Sequence, residues 1–215
     1  MKKKILALTL ALCASLSAAA IPVSAEVETK SAAIANIDMS WPYIKADNKA
    51  ATKAINSDLR VYMDDFRYDY MYRKFLSGRT WFETAYEDKD IASVVLYDLR
   101  NDGKTNTTTV HAINYDLKTG QRIPLEKVCR MTVDDLVKKA ATSFYRDGYI
   151  RITPKKMPTR VPEDYVFNQN GGITLYFQVG EVGDLLDGNV TARFTPEEIR
   201  EINAQHPLHL SLIHI

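Results

Sequence analysis

Reactive chemistry is scarce in this chain. Of its 215 residues only two are cysteines and four histidines. Cys13 lies in an N-terminal leader described below, so Cys129 is the one thiol expected in the mature protein, and an intramolecular disulfide is excluded. The simplest reading of Cys129, following Val128, is a small buried residue. A zinc site needs three or four converging ligands, and the central part of the chain holds a single histidine, His111, inside an expected strand. Neither a G-x-S-x-G elbow nor a glycine-rich phosphate loop occurs. The acidic pairs Asp64-Asp65, Asp134-Asp135 and Glu197-Glu198 fall on expected helices, where neighbours project about 100° apart and cannot form a close dyad. No catalytic residue, metal or cofactor is assigned on these grounds, and the chain reads as more a binder than an enzyme.

Charge of one sign is lacking too. The chain has 28 Lys and Arg, of which Lys2, Lys3 and Lys4 sit in the leader, against 27 Asp and Glu, so the mature protein is expected to carry 25 against 27. That balance offers no electrostatic case for nucleic acid or anionic lipid. Long apolar runs are confined to Ile5–Ala20, 16 residues rich in alanine and leucine, below the roughly 20 of a spanning helix. With the lysines before it and Val23-Ser24-Ala25 after it, residues 1–25 read as a cleaved export signal. The product is expected in the periplasm or outside the cell, without stable membrane insertion. At the other end, residues 210–215, LSLIHI, match the translation of a transposon-end sequencing adaptor and are expected to be an artefact.

What is present is alternating pattern. Residues 26–36 are small and polar, an expected flexible lead. Met39–Ile44 suggests a short strand. From Asp47, a candidate N-cap, apolar residues recur at three and four positions through Ala51, Ile55, Leu59, Tyr62, Phe66 and Tyr70, the face of one long helix. Ser77-Gly78 is expected to break it. Trp81–Glu87 and Ile91–Leu99 read as strands, and Asn101-Asp102-Gly103-Lys104 as a turn into a hairpin partner over Thr107–Leu117. Pro124 opens a short helical turn. Thr132 begins a helix with Val133, Leu136, Val137, Ala140, Ala141 and Phe144 on its apolar face. Thr153–Pro162 is irregular; Asp164–Asn168 and Ile173–Val179 form a second hairpin about Asn170-Gly171-Gly172. Gly180–Gly188 connects to a strand over Asn189–Phe194, and Thr195-Pro196-Glu197-Glu198 starts a last helix.

Four segments, KAINSDLRVYMDDF, ASVVLYDL, INYDLKTGQRIPLEKV and YVFNQNGGITLYFQVGEVGDLLDGNVTARFTPEEI, together resemble the extracytoplasmic domain shared by the lysozyme-sensing anti-sigma factor RsiV and the peptidoglycan deacetylase PdaC. The resemblance spans Ile37 to Ile202 and is most specific at Tyr115–Gly120 and in the last hairpin with Gly188 and Thr195–Glu198. It implies an α+β domain of antiparallel sheets packed with a long N-terminal helix and two further helices, acting in recognition outside the membrane. The chain departs from the family pattern where a Gly-Gly-Ala-His loop is replaced by Asn101–Asn106, and where a segment rich in tyrosine and proline is replaced by Gly180–Leu186.

The expected organisation is therefore a helix and antiparallel-sheet lobe over 37–120 and an α+β lobe over 121–205. No added metal-dependent catalytic domain is recognised, so the expected function is a non-catalytic exported recognition domain. Its expected partners are a lysozyme-like protein or peptidoglycan. Loops held by a rigid sheet commonly make contacts, which selects Asp102, Lys104 and Asn106 at the hairpin tip and Glu181 and Asp184 in the connecting segment. The alternative is an envelope-acting hydrolase with a site assembled around Cys129 and His111.

Overall fold

A computed structural model describes residues 25–207. The expected leader, apart from Ala25, and the adaptor-like tail lie outside them. Two five-stranded sheets and three helices make up an α+β fold. The first sheet has the order β1 (Glu26–Ile34), β2 (Ile37–Lys45), β3 (Ser77–Glu87), β4 (Ile91–Asn101), β5 (Asn106–Asp116). The second runs β7 (Ile150–Arg151), β6 (Phe144–Arg146), β10 (Val190–Phe194), β9 (Ile173–Phe177), β8 (Tyr165–Phe167).

The expected flexible lead is instead a strand. Residues Glu26 to Ile34 pair antiparallel with β2 along its whole length, turning at Ala35, whose φ is 50°. The polar sequence reflects its place at the sheet edge, where most of its side chains meet water. The long helix, α1 (Lys49–Met71), is third in order, after two strands. Its cap is Asn48 rather than Asp47, with Oδ1 accepting from Ala50 N–H at 2.9 Å. Because α1 carries the chain across the sheet, β2 and β3 are parallel at Ile37–Gly78 and Asp38–Arg79, so the first sheet is mixed rather than wholly antiparallel.

Helix α1 ends before Ser77-Gly78, in a left-handed Arg73 with φ 57°. Arg73 N–H reaches Tyr70 O at 2.9 Å and Lys74 N–H reaches Asp69 O at 2.9 Å, the paired bonds that close a helix end. Gly78 serves a different purpose. It lies in β3 beneath Phe66, and a Cβ there would come within 2.4 Å of Leu99 O.

Strand β4 explains its own unbroken apolar run. Val94 and Leu96 join Ile55, Leu59, Ile113 and Tyr115 under α1. Val95 and Tyr97 face the other way, toward Val110, Ala112, Val166 and Tyr176. Both faces are covered, so alternation disappears. Each large side chain fully buried this way contributes about 1.5–3 kcal/mol relative to exposure.

The second sheet is antiparallel throughout. Its core gathers Phe144, Leu175, Phe177, Ala192 and Phe194 under α2 (Val133–Lys139) and α3 (Pro196–Gln205). Both helices begin with a capping box, Thr132 with Asp135 and Thr195 with Glu198. Helix α2 is shorter than its apolar pattern suggests: Phe144 belongs to β6, and Val137 and Ala141 are exposed. Among the described residues no helix is long and apolar enough to cross a membrane.

Candidate functional site

The block Tyr115–Gly120 fastens the first sheet to α1. Tyr115 donates its hydroxyl to Asp58 Oδ2 at 2.6 Å. Asp116 Oδ1 accepts from Lys118 and Thr119 N–H at 2.9 and 2.8 Å, an Asx turn. Gly120 follows with φ 75°, where a Cβ would stand 2.8 Å from the Ala51 backbone. The next residues return the chain alongside β5, with Ile123 N–H on Asn114 O at 2.8 Å.

Beyond that point the outer edge of β5 is met by residues at the ends of β8 and β9. Gln178 accepts from Val110 N–H at 3.1 Å and donates to Val110 O at 2.7 Å. Asp164 Oδ1 accepts from Ala112 N–H at 2.9 Å. The buried Asn114 donates to Tyr165 O at 2.7 Å and accepts from Ser93 Oγ at 2.6 Å. These bonds blunt a strand edge that would otherwise stay open.

A cleft of about 590 Å³ is lined by Tyr62, His111, Arg122, Cys129, Asp164 and Tyr165 among others. His111 projects toward α1 and its ring centroid lies 4.6 Å from that of Tyr62. Burial pushes the imidazole below its ordinary value, opposed by Asp164 and Asp98. Burial pushes Asp164 up, against the Ala112 N–H and His111. The exposed Arg122 is held charged by Asp58, at 2.7 and 2.9 Å, against partial desolvation, and donates to Tyr62 at 2.8 Å.

The structure thus brings His111 and Cys129 to one cleft, but not as a reactive pair. Cys129 is 1% exposed, in the core of the second sheet. Burial and, behind it, Asp135 push it up to about 11, away from the thiolate a nucleophile needs. Asp58 is occupied by Arg122 and Tyr115. Among the described residues no group of three metal-ligating side chains forms a site.

The selected loop residues are largely engaged in their own turns. Asp102 accepts from Lys104 and Thr105 N–H, both at 2.8 Å, and Asn106 accepts from the Asn101 side chain at 2.7 Å. Lys104 is exposed. Glu181 pairs with Arg160 at 2.8 Å and accepts from Gln178 N–H at 3.0 Å; Asp184 pairs with Lys155. Directly after Asp184 stand two residues that sequence reasoning passed over: Leu185 is 78% and Leu186 97% exposed. Asp184 and Asp187 cap each other's backbone in a single helical turn, and Gly188 follows with φ 65°. The available signal was an apolar pair in a glycine-bounded segment with no strand or helix period to bury it.

No protein-family model and no curated protein matches the sequence. Among solved structures, the fold is similar to that of a member of the DUF3298 family from Bacteroides fragilis, 13% identical, with a TM-score of 0.57, covering 85% of this chain and 93% of that one. A DUF3298 family protein from Pseudomonas aeruginosa is 10% identical, with a TM-score of 0.55 and coverage of 84% and 94%. The α+β domain fold is therefore shared with DUF3298 proteins.

Proposed function

We propose that the chain is an exported, non-catalytic recognition domain of the RsiV and PdaC kind, which presents Leu185 and Leu186 to a lysozyme-like enzyme. The observation that carries this reading is the exposure of both leucines on a backbone held by a reciprocal cap and by ion pairs on either side, Asp184 with Lys155 and Asp187 with Arg146. Water disfavours such a pair, and a turn already ordered loses little further entropy when it docks. Apolar side chains favour a protein over a glycan at this loop. The leader supports export, and the resemblance in Tyr115–Gly120 and Thr195–Glu198 supports the choice of partner.

The hydrolase reading has one point in its favour, the shared cleft of Cys129 and His111. The buried, protonated thiol counts against it. Passing lysozyme and sonicated peptidoglycan separately over the immobilised mature protein tests both readings. Retention of lysozyme without release of sugar or peptide fragments from peptidoglycan is expected. Failure to retain lysozyme, or fragment release abolished by Cys129→Ala, would overturn the proposal.

A further inference from the structure

A second site lies on the other lobe, independent of the leucine turn. Helix α1 and the β1–β2 hairpin enclose a trough of about 730 Å³. Its lining carries five cations, Lys30, Lys49, Lys53, Arg60 and Arg67, against one carboxylate, Asp64. In a protein whose charges otherwise balance, that concentration marks a place for an anion.

The cations are not equally occupied. Arg60 and Arg67 share Asp64, at 3.4 and 3.3 Å. One carboxylate between two guanidiniums leaves donors over, and Arg67 Nε is buried with no hydrogen-bond partner among the described residues. Lys49 and Lys53 are exposed and form no ion pair among the described residues. Across the trough, Trp41 and Tyr43 line the strand wall two residues apart on one face, and Lys30, already paired with Glu28 at 2.9 Å, stands 5.0 Å over the Tyr43 ring. Both rings are only partly buried.

Spacing narrows the class of ligand. Lys53, Arg60 and Arg67 recur every seven residues, which places them roughly 10 Å apart along α1, the scale of one disaccharide. Double-stranded DNA carries a charge about every 1.7 Å, far denser than this ladder. Aromatic faces suit the C–H faces of pyranose rings, and lysine and arginine suit carboxylates. We propose that the trough between α1 and the β1–β2 hairpin binds an acidic glycan, its sugars lying on Trp41 and Tyr43 and its carboxylates meeting Lys53, Arg60 and Arg67.

The two tryptophans supply the test. Trp81 lies on β3, stacked on Tyr97 at 5.0 Å, and does not line the trough. In the mature protein labelled with ¹⁵N-tryptophan, hyaluronan oligosaccharides, which carry one carboxylate per disaccharide, are expected to shift the Trp41 indole N–H saturably and leave that of Trp81 in place. The K53E/R60E variant, its melting temperature checked against wild type, is expected to bind at least tenfold more weakly. Neutral chitohexaose and polyglutamate are the controls, expected to bind at least tenfold more weakly than hyaluronan. No saturable Trp41 shift, equal binding of either control, or unchanged affinity in a folded K53E/R60E protein would each overturn the proposal.

Discussion

Gln178 stands beside Val110 as a residue of a neighbouring strand would, its carboxamide accepting from Val110 N–H at 3.1 Å and donating to Val110 O at 2.7 Å. One side chain thereby satisfies both backbone groups at the edge of β5 and fixes the second sheet against the first. Leaving them unpaired in a part-buried place costs about 1–3 kcal/mol. Gln178→Ala is expected to lower stability by that amount in urea denaturation, and Gln178→Glu to lower it too by removing the donor. A variant as stable as wild type would show the pairing to be dispensable.

His111 makes stability depend on pH. Its folded value is lowered by burial, whereas the unfolded imidazole protonates near 6.5. Below that value the unfolded chain binds more protons, so stability falls as pH falls. Asp164, whose folded value is raised, acts in the opposite sense: its contribution is present below 3.8 and lost as pH rises through the folded value. Comparing wild type with His111→Phe reads the histidine together with its effect on Asp164. Between about pH 7.5 and about pH 5.5, wild type is expected to lose more stability than the variant. Parallel curves from thermal melts would contradict this.

Cys129 is expected to resist modification. With the thiol buried and pushed up to about 11, Ellman's reagent at pH 8 is expected to label it only as fast as the protein opens, and at once in guanidinium. Rapid labelling of the native protein would place the thiol at a surface and reopen the hydrolase reading.

Gly120→Ala is expected to destabilise by about 2–3 kcal/mol, because the new Cβ would enter the Ala51 backbone at a positive φ. A chemical melt measures it. Loss well under 1 kcal/mol would mean that the turn can move away from the first turn of α1.

Local rules made much of this fold legible. The α1 face through Ile55, Leu59 and Phe66, the Asn101–Lys104 turn and the Thr195-Pro196 helix start follow from periodicity, turn chemistry and capping, all contained within a few residues. Strand β1 was hidden because edge strands carry polar residues and owe their state to a partner, here β2. The parallel β2–β3 pair was hidden because direction depends on where α1 delivers the chain. The cleft joins Tyr62, His111, Arg122 and Asp164 from distant segments, and no spacing announces it. Leu185 and Leu186 were legible only as an anomaly, apolar residues without a period. The neighbouring acids drew attention instead, although Asp184 caps the turn and Glu181 is engaged by Arg160 and Gln178.

Leu185 and Leu186 are the proposed contact with a lysozyme-like enzyme. Calorimetric titration of purified lysozyme into the mature protein and into an L185S/L186S variant of equal melting temperature tests it most directly. Losing two apolar anchors of about 1.5–3 kcal/mol each is expected to weaken binding roughly 100-fold or more. Equal affinity in the two proteins, or no binding to wild type, would contradict the account.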